Sequence, residues 1–93
     1  MEDNRIFYLR SDTLADRASL AGFMSEAFGF PLEEADNLDS LADLLSEVLE
    51  ETTFVISRQS LMEICGEDFS YRGLCMLADA VDENPCLHVR LIR

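Results

Sequence analysis

Lysine is absent from this chain, and basic residues of any kind are few. Seven arginines stand against nineteen Asp and Glu, for a net charge of −12. Such a balance excludes a binder of nucleic acid or of an anionic membrane, because phosphate contacts need Lys and Arg to release counterions. No apolar run approaches the roughly 18 residues of a membrane span. The start, Met1-Glu2-Asp3-Asn4, is acidic and shows no apolar core of a secretory signal. Cys65, Cys75 and Cys86 fit neither a C-x-x-C nor a zinc spacing. Cys65 and Cys75 lie among Leu and Met and read as small buried hydrophobes, which fits a reducing compartment, hence the cytoplasm. What the chain does have is an apolar fraction of 48% in 93 residues, enough for one small domain with a core over residues 1–93. Residues 1–4 are expected to fray.

Ile6-Phe7-Tyr8-Leu9 is a short run of strand formers, stopped by Arg10-Ser11-Asp12. Leu20, Phe23, Met24, Ala27 and Phe28 then recur at helical spacing. Asp16 or Thr13 offers the N-cap, and Gly29 offers the terminating glycine. Pro31 prevents resumption, so 30–36 reads as a loop. A second helix is predicted from Asp36 or Asn37, with Leu38, Leu41, Leu44, Leu45, Val48 and Leu49 as its apolar face. Thr52-Thr53-Phe54-Val55-Ile56 is the strongest strand signal. Residues 60–65 form a short helix ending at Gly66. A further helix, capped by Asp68 or Ser70, runs to Asn84-Pro85. Leu87 to Ile92 alternates as a half-buried terminal strand. Tyr8, Phe7, Phe23, Phe28 and Phe54 read as core. Strands separated by helical crossovers of this length lie parallel in one sheet. The expected fold is therefore α/β: a small three-stranded parallel sheet with about four helices packed around it.

Between Arg17 and Arg58 there is no basic residue. On a wheel of about 100° per residue, Asp36, Asp39, Asp43, Glu47 and Glu50 fall within one arc of roughly 80°. Asp39 and Asp43 are i,i+4 neighbours and repel by a few tenths of a kcal/mol. A solvated helix face needs no such uniformity, since mixed signs are equally soluble and more stable. A stripe of one sign makes sense if a basic partner docks on it, with opposite potentials speeding encounter.

The stretch Asp36-Asn37-Leu38-Asp39-Ser40-Leu41-Ala42-Asp43-Leu44 resembles the binding segment of barstar-like ribonuclease inhibitors. Val55-Ile56-Ser57-Arg58-Gln59 is similar to that family's second strand and the Arg-Gln after it. The tail through Leu87-His88-Val89-Arg90-Leu91 is similar to its last helix and strand. The resemblance implies the same parallel sheet, and a function: a protein inhibitor of a bacterial ribonuclease, of the immunity or antitoxin type. In such proteins the second helix and the loop before it plug the enzyme's active site, and their acids stand in for substrate phosphates. Carried over, Asp39 and Asp43 match the two key aspartates, Asp79 a further contact acid, and Asn37 the residue at the helix start, whose capping role is an equal alternative. Asp36, Glu33, Glu34 and Glu47 complete the expected partner-binding set. Glu33, Glu34 and Ala35 stand where the family carries an aromatic and a glycine, and Ala42 stands where an aromatic precedes the second aspartate. The added acids point to a different or more basic target.

His88 has no nucleophile or acid partner in the sequence, and neither G-x-S-x-G nor a phosphate-cradling glycine loop occurs. No enzyme activity, cofactor or metal is therefore expected, the calcium loop being absent as well. Phe30 and Leu32 are either exposed anchors or core. The expected partner is a basic protein, bound by a monomer. The alternative from another class is an acidic interaction module, or a nucleic-acid mimic, that occupies a different basic protein.

Overall fold

The elements appear largely where hydrophobic periodicity places them. The computed structural model describes residues 4–64 and 66–93; Met1 to Asp3 and Cys65 lie outside the described residues. The order is β1 (Arg5–Leu9), α1 (Arg17–Phe28), α2 (Leu32–Ala35), α3 (Leu38–Ser46), β2 (Thr52–Ser57), α4 (Arg58–Ile64), α5 (Asp68–Glu83) and β3 (Leu87–Ile92). The three strands form one parallel sheet in the order β1-β2-β3. The α/β class and the three-stranded parallel sheet are thus as expected. The fifth helix is the single turn α2, inside the stretch expected to be a loop.

Local chemistry fixes the helix ends. Asp16 caps α1 by accepting from the Ser19 amide at 2.8 Å. Gly29, at φ 76°, closes it in the left-handed conformation that a side chain would disfavour. α3 ends at Ser46, short of the expected Leu49. Two carbonyls near its end, those of Leu45 and Val48, each accept from Asn84 Nδ2 at 2.9 Å. Asn84 is buried, and its Oδ1 also accepts from the Cys86 amide at 2.9 Å. One side chain therefore ties the end of α3 to the start of β3. At α5 the sequence offered Asp68 or Ser70 as caps. Instead Ser70 is buried and donates to the Leu14 carbonyl at 2.7 Å, pinning the loop before α1.

Burial follows strand parity. With the register Phe7–Phe54–Val89 and Leu9–Ile56–Leu91, residues of odd number on β1 and β3 face the helices. Leu9, Phe54, Ile56 and Leu87 join Leu20, Met24, Leu41, Leu45, Ile64 and Leu77 in a single core. Phe7, Phe23, Phe28 and Phe30 pack against it, with Phe28 and Phe30 stacked at 5.1 Å. Phe30 is thus a core partner, whereas Leu32 is exposed. The other sheet face carries Ile6, Tyr8 and Ile92, all exposed. Tyr8 is therefore not a core residue. Parallel sheets are usually covered on both faces, so this open one is a departure from the norm.

Two further expectations need correction. β3 is not half-buried: beyond Leu87 every residue is exposed, because β3 is an edge strand of the sheet and the core closes at Leu87. Cys75 is exposed rather than buried, because it falls on the outer face of α5 with Tyr71, Arg72 and Asp79. It sits one turn from Tyr71, whose phenol it pushes to a higher pKa through a hydrogen bond. The same expectation for Cys65 lies outside the described residues. Of residues 1–4, expected to fray, Asn4 is described and exposed.

Replacing Asn84 with Ala removes the side-chain donor of the buried Val48 carbonyl and the acceptor of the Cys86 amide, while the Leu45 carbonyl keeps the Val48 amide at 3.2 Å, at a cost of about 1–3 kcal/mol in urea unfolding; a loss under about 0.5 kcal/mol would mean that water supplies those bonds. Asp16 gives a pH signature. The Ser19 amide holds its carboxyl below the ordinary value of 3.8, so its contribution is present above that value and is lost as pH falls through the lower folded one. The stability difference between the native chain and Asp16→Asn should shrink when urea midpoints are followed from pH 6 to pH 3. A constant difference would contradict this.

Candidate functional site

Asn37 positions the acids of α3. Its Oδ1 accepts from the amides of Asp39, at 2.8 Å, and Ser40, at 3.2 Å, so it is the N-cap. Its alternative as a direct contact is not needed to explain the residue. Asp39 lies in the first turn, where the helix dipole favours a carboxylate. Asp43 follows one turn later and is exposed. Glu47 is the C-cap residue, and Asp36 precedes the helix. Glu50 lies beyond it altogether. The stripe that the wheel placed on one long helix is therefore carried on α3 by Asp39 and Asp43 alone, flanked by acids of the adjoining turns.

The fold divides the expected acids between two hollows. A cleft of about 530 Å³ between α3 and α5 gathers Asp36, Asn37, Asp39 and Asp79, with Arg17, Phe69, Arg72 and Met76. Asp79, far away in sequence, is thus brought beside Asp39. A smaller hollow of about 260 Å³ between α2 and the later part of α3 holds Glu34, Asp43 and Glu47. Glu33 is exposed on α2 and lines neither hollow.

Compensation reaches the segment from elsewhere in the chain, which sequence spacing alone could not show. Arg17 pairs with Asp36 Oδ2 at 3.2 Å and donates from Nε to the Asp36 carbonyl at 3.2 Å. Arg5 pairs with Glu50 at 3.0 Å, and its guanidinium lies 5.0 Å from the Phe28 ring centre. The acidic interval is therefore relieved at both ends. Its middle is not: among the described residues Glu33, Glu34, Asp39, Asp43, Glu47 and Asp79 form no ion pair. Arg72 lines the same cleft as Asp39 but is paired, at 3.6 Å, with Asp68 one turn before it.

Arg17, Phe69 and Arg72 were missed as residues of this region. Arg17 stands next to a capping aspartate, and the other two lie on the opening turns of α5. Only the packing of α3 against α5 carries them to Asp39.

The rest of the surface offers little chemistry. His88 Nε2 meets Glu51 Oε1 at 2.9 Å on the exposed sheet face. Among the described residues no three of His, Cys, Asp and Glu gather to hold a metal ion, and no helix is long and apolar enough to cross a membrane. The arrangement suits recognition of positive charge: carboxylates at fixed positions, in shallow hollows, on a rigid helix pair. A scan against protein-family models and a search of curated proteins return no match to this chain.

Proposed function

We propose that this protein is a barstar-like inhibitor of a small basic bacterial ribonuclease, of the immunity or antitoxin type, acting as a monomer in the cytoplasm. The observation that carries the proposal is the run of carboxylates on α2, α3 and α5 that have no cation of their own. Each pays no desolvation penalty while exposed, and each gains when it meets a guanidinium or ammonium in a closed interface. α3 with the turn before it forms the plug. Asp39 and Asp79, which line the same cleft, receive one group of basic side chains, and Asp43 with Glu34 and Glu47 receives another. The protein does no chemistry itself. It blocks the enzyme by occupying the phosphate-binding positions, as the Asn-Leu-Asp resemblance implies.

A second reading has its own support. Neither α2 nor α3 contains an aromatic residue, and Phe30, just before α2, is half-buried on Phe28. Aromatic anchors commonly supply much of an interface's energy. Unpaired acids spread over two hollows also suit a nucleic-acid mimic that occupies a different basic protein.

Titration against a panel of small basic ribonucleases tests the proposal. At least one member should be inhibited, more weakly at high salt. Asp43→Ala and Asp39→Ala should each weaken inhibition at least tenfold, equal to about 1.4 kcal/mol; the unfolding midpoint should be unchanged or slightly raised in Asp43→Ala, which removes a like-charge neighbour, and unchanged or slightly lowered in Asp39→Ala, which also loses a first-turn carboxylate. An uninhibited panel, with a helicase, repressor or polymerase captured from native lysate, would favour the mimic. Unfolding of the Asp43→Ala chain would show that the acid is structural and the site misplaced.

A further inference from the structure

The edge of β3 is the least acidic part of a strongly acidic molecule. The strand reads Leu87-His88-Val89-Arg90-Leu91-Ile92 and is followed by Arg93, with no carboxylate in the run. Among the described residues neither Arg90 nor Arg93 forms an ion pair. Sheet order leaves the outer side of β3 without a neighbouring strand.

The phase of the ladder shows what that side presents. The Thr52 amide donates to the Cys86 carbonyl at 2.9 Å, and Thr52 lies opposite Leu87. In a parallel pair the residues of one strand turn alternately toward and away from the partner. His88, Arg90 and Ile92 therefore bond to β2, while Val89 and Leu91 turn both N–H and C=O outward. The same two residues are exposed on the helix side of the sheet, at 48% and 58%. Free backbone groups and uncovered apolar side chains thus coincide at Val89 and Leu91, with the Arg90 side chain on the opposite face between them. An open edge of this kind is a template for an added strand.

We propose that β3 accepts an extended segment of a partner protein in which apolar and acidic residues alternate. Its apolar side chains cover Val89 and Leu91 beside the helix layer. Its carboxylates lie across the open face against Arg90. Charge selects β3 over the other edge: Ile6 and Tyr8 are equally open on β1, but the one arginine of that strand, Arg5, is already held by Glu50. This surface lies on β3, away from the acids of α2 and α3, and the proposal stands independently of the ribonuclease reading.

The test is NMR titration of the ¹⁵N-labelled full chain with a blocked peptide, Glu-Val-Glu-Val-Glu-Val-Glu, and with its Lys-for-Glu counterpart. The acidic peptide should shift the Val89 and Leu91 amides and protect them from exchange, with a Kd below about 1 mM. The basic peptide should leave β3 untouched. Arg90→Glu should weaken the acidic peptide about five- to tenfold and admit the basic one. Val89→Pro, which removes an outward N–H and spares the ladder, should abolish binding; if that variant fails to fold, Arg90→Glu still decides. The proposal is overturned if β3 does not respond, if both peptides bind equally, if the shifts map to β1 or α3, or if the chain alone self-associates through β3.

Discussion

The buried amide of Asn84 joins three elements that would otherwise meet only through apolar contact. It closes α5, satisfies carbonyls at the end of α3 and fixes the turn into β3. A helix terminus buried without such partners is costly. The position of α3 against α5, and with it the pairing of Asp39 with Asp79 across one cleft, depends on this junction. The proposed site thus has a polar contact at the far end of the helix pair, and the core of Leu41, Leu45, Phe54 and Leu77 beneath it.

The charge of the molecule is arranged rather than merely abundant. Arg17 and Arg5 neutralise the acids at the margins of the interval, and these pairs hold the adjoining turns in place. The carboxylates between them are left facing solvent. Exposed pairs of this kind contribute little to stability, so their removal from the central acids costs the fold little. Among the described residues, Arg90 and Arg93 at β3 and Arg58 at the start of α4 form no ion pair. The proposed cation-facing acids and the proposed strand-accepting edge thus differ in charge.

Much of the architecture was legible in the sequence, because short strands of β-branched and aromatic residues alternate with helices of clear periodicity. Asp16, Gly29 and Asn37 announced helix ends through side-chain chemistry that acts within a few residues. What sequence concealed was tertiary. The wheel extended α3 to Leu49 because Val48 and Leu49 continue its apolar rhythm, whereas Asn84, distant in sequence, competes for its last carbonyls. Tyr8 looked like core from its neighbours, but it lies on the sheet face away from the core, where its central-strand partner Val55 is buried and Tyr8 itself, at the edge, is exposed. Of the candidate site, the acids themselves were legible and their division between two hollows was not. Arg17 and Arg72 acquire their places only when α1 and α5 pack beside α3.

Hydrogen-exchange footprinting of the protein with the small basic ribonuclease that it inhibits most tightly in a panel tests the central claim most directly. The expected result is new protection over residues 32–46 and around Asp79, lost when salt is raised. Protection confined to another face, with α2 and α3 exchanging as in the free chain, would contradict it.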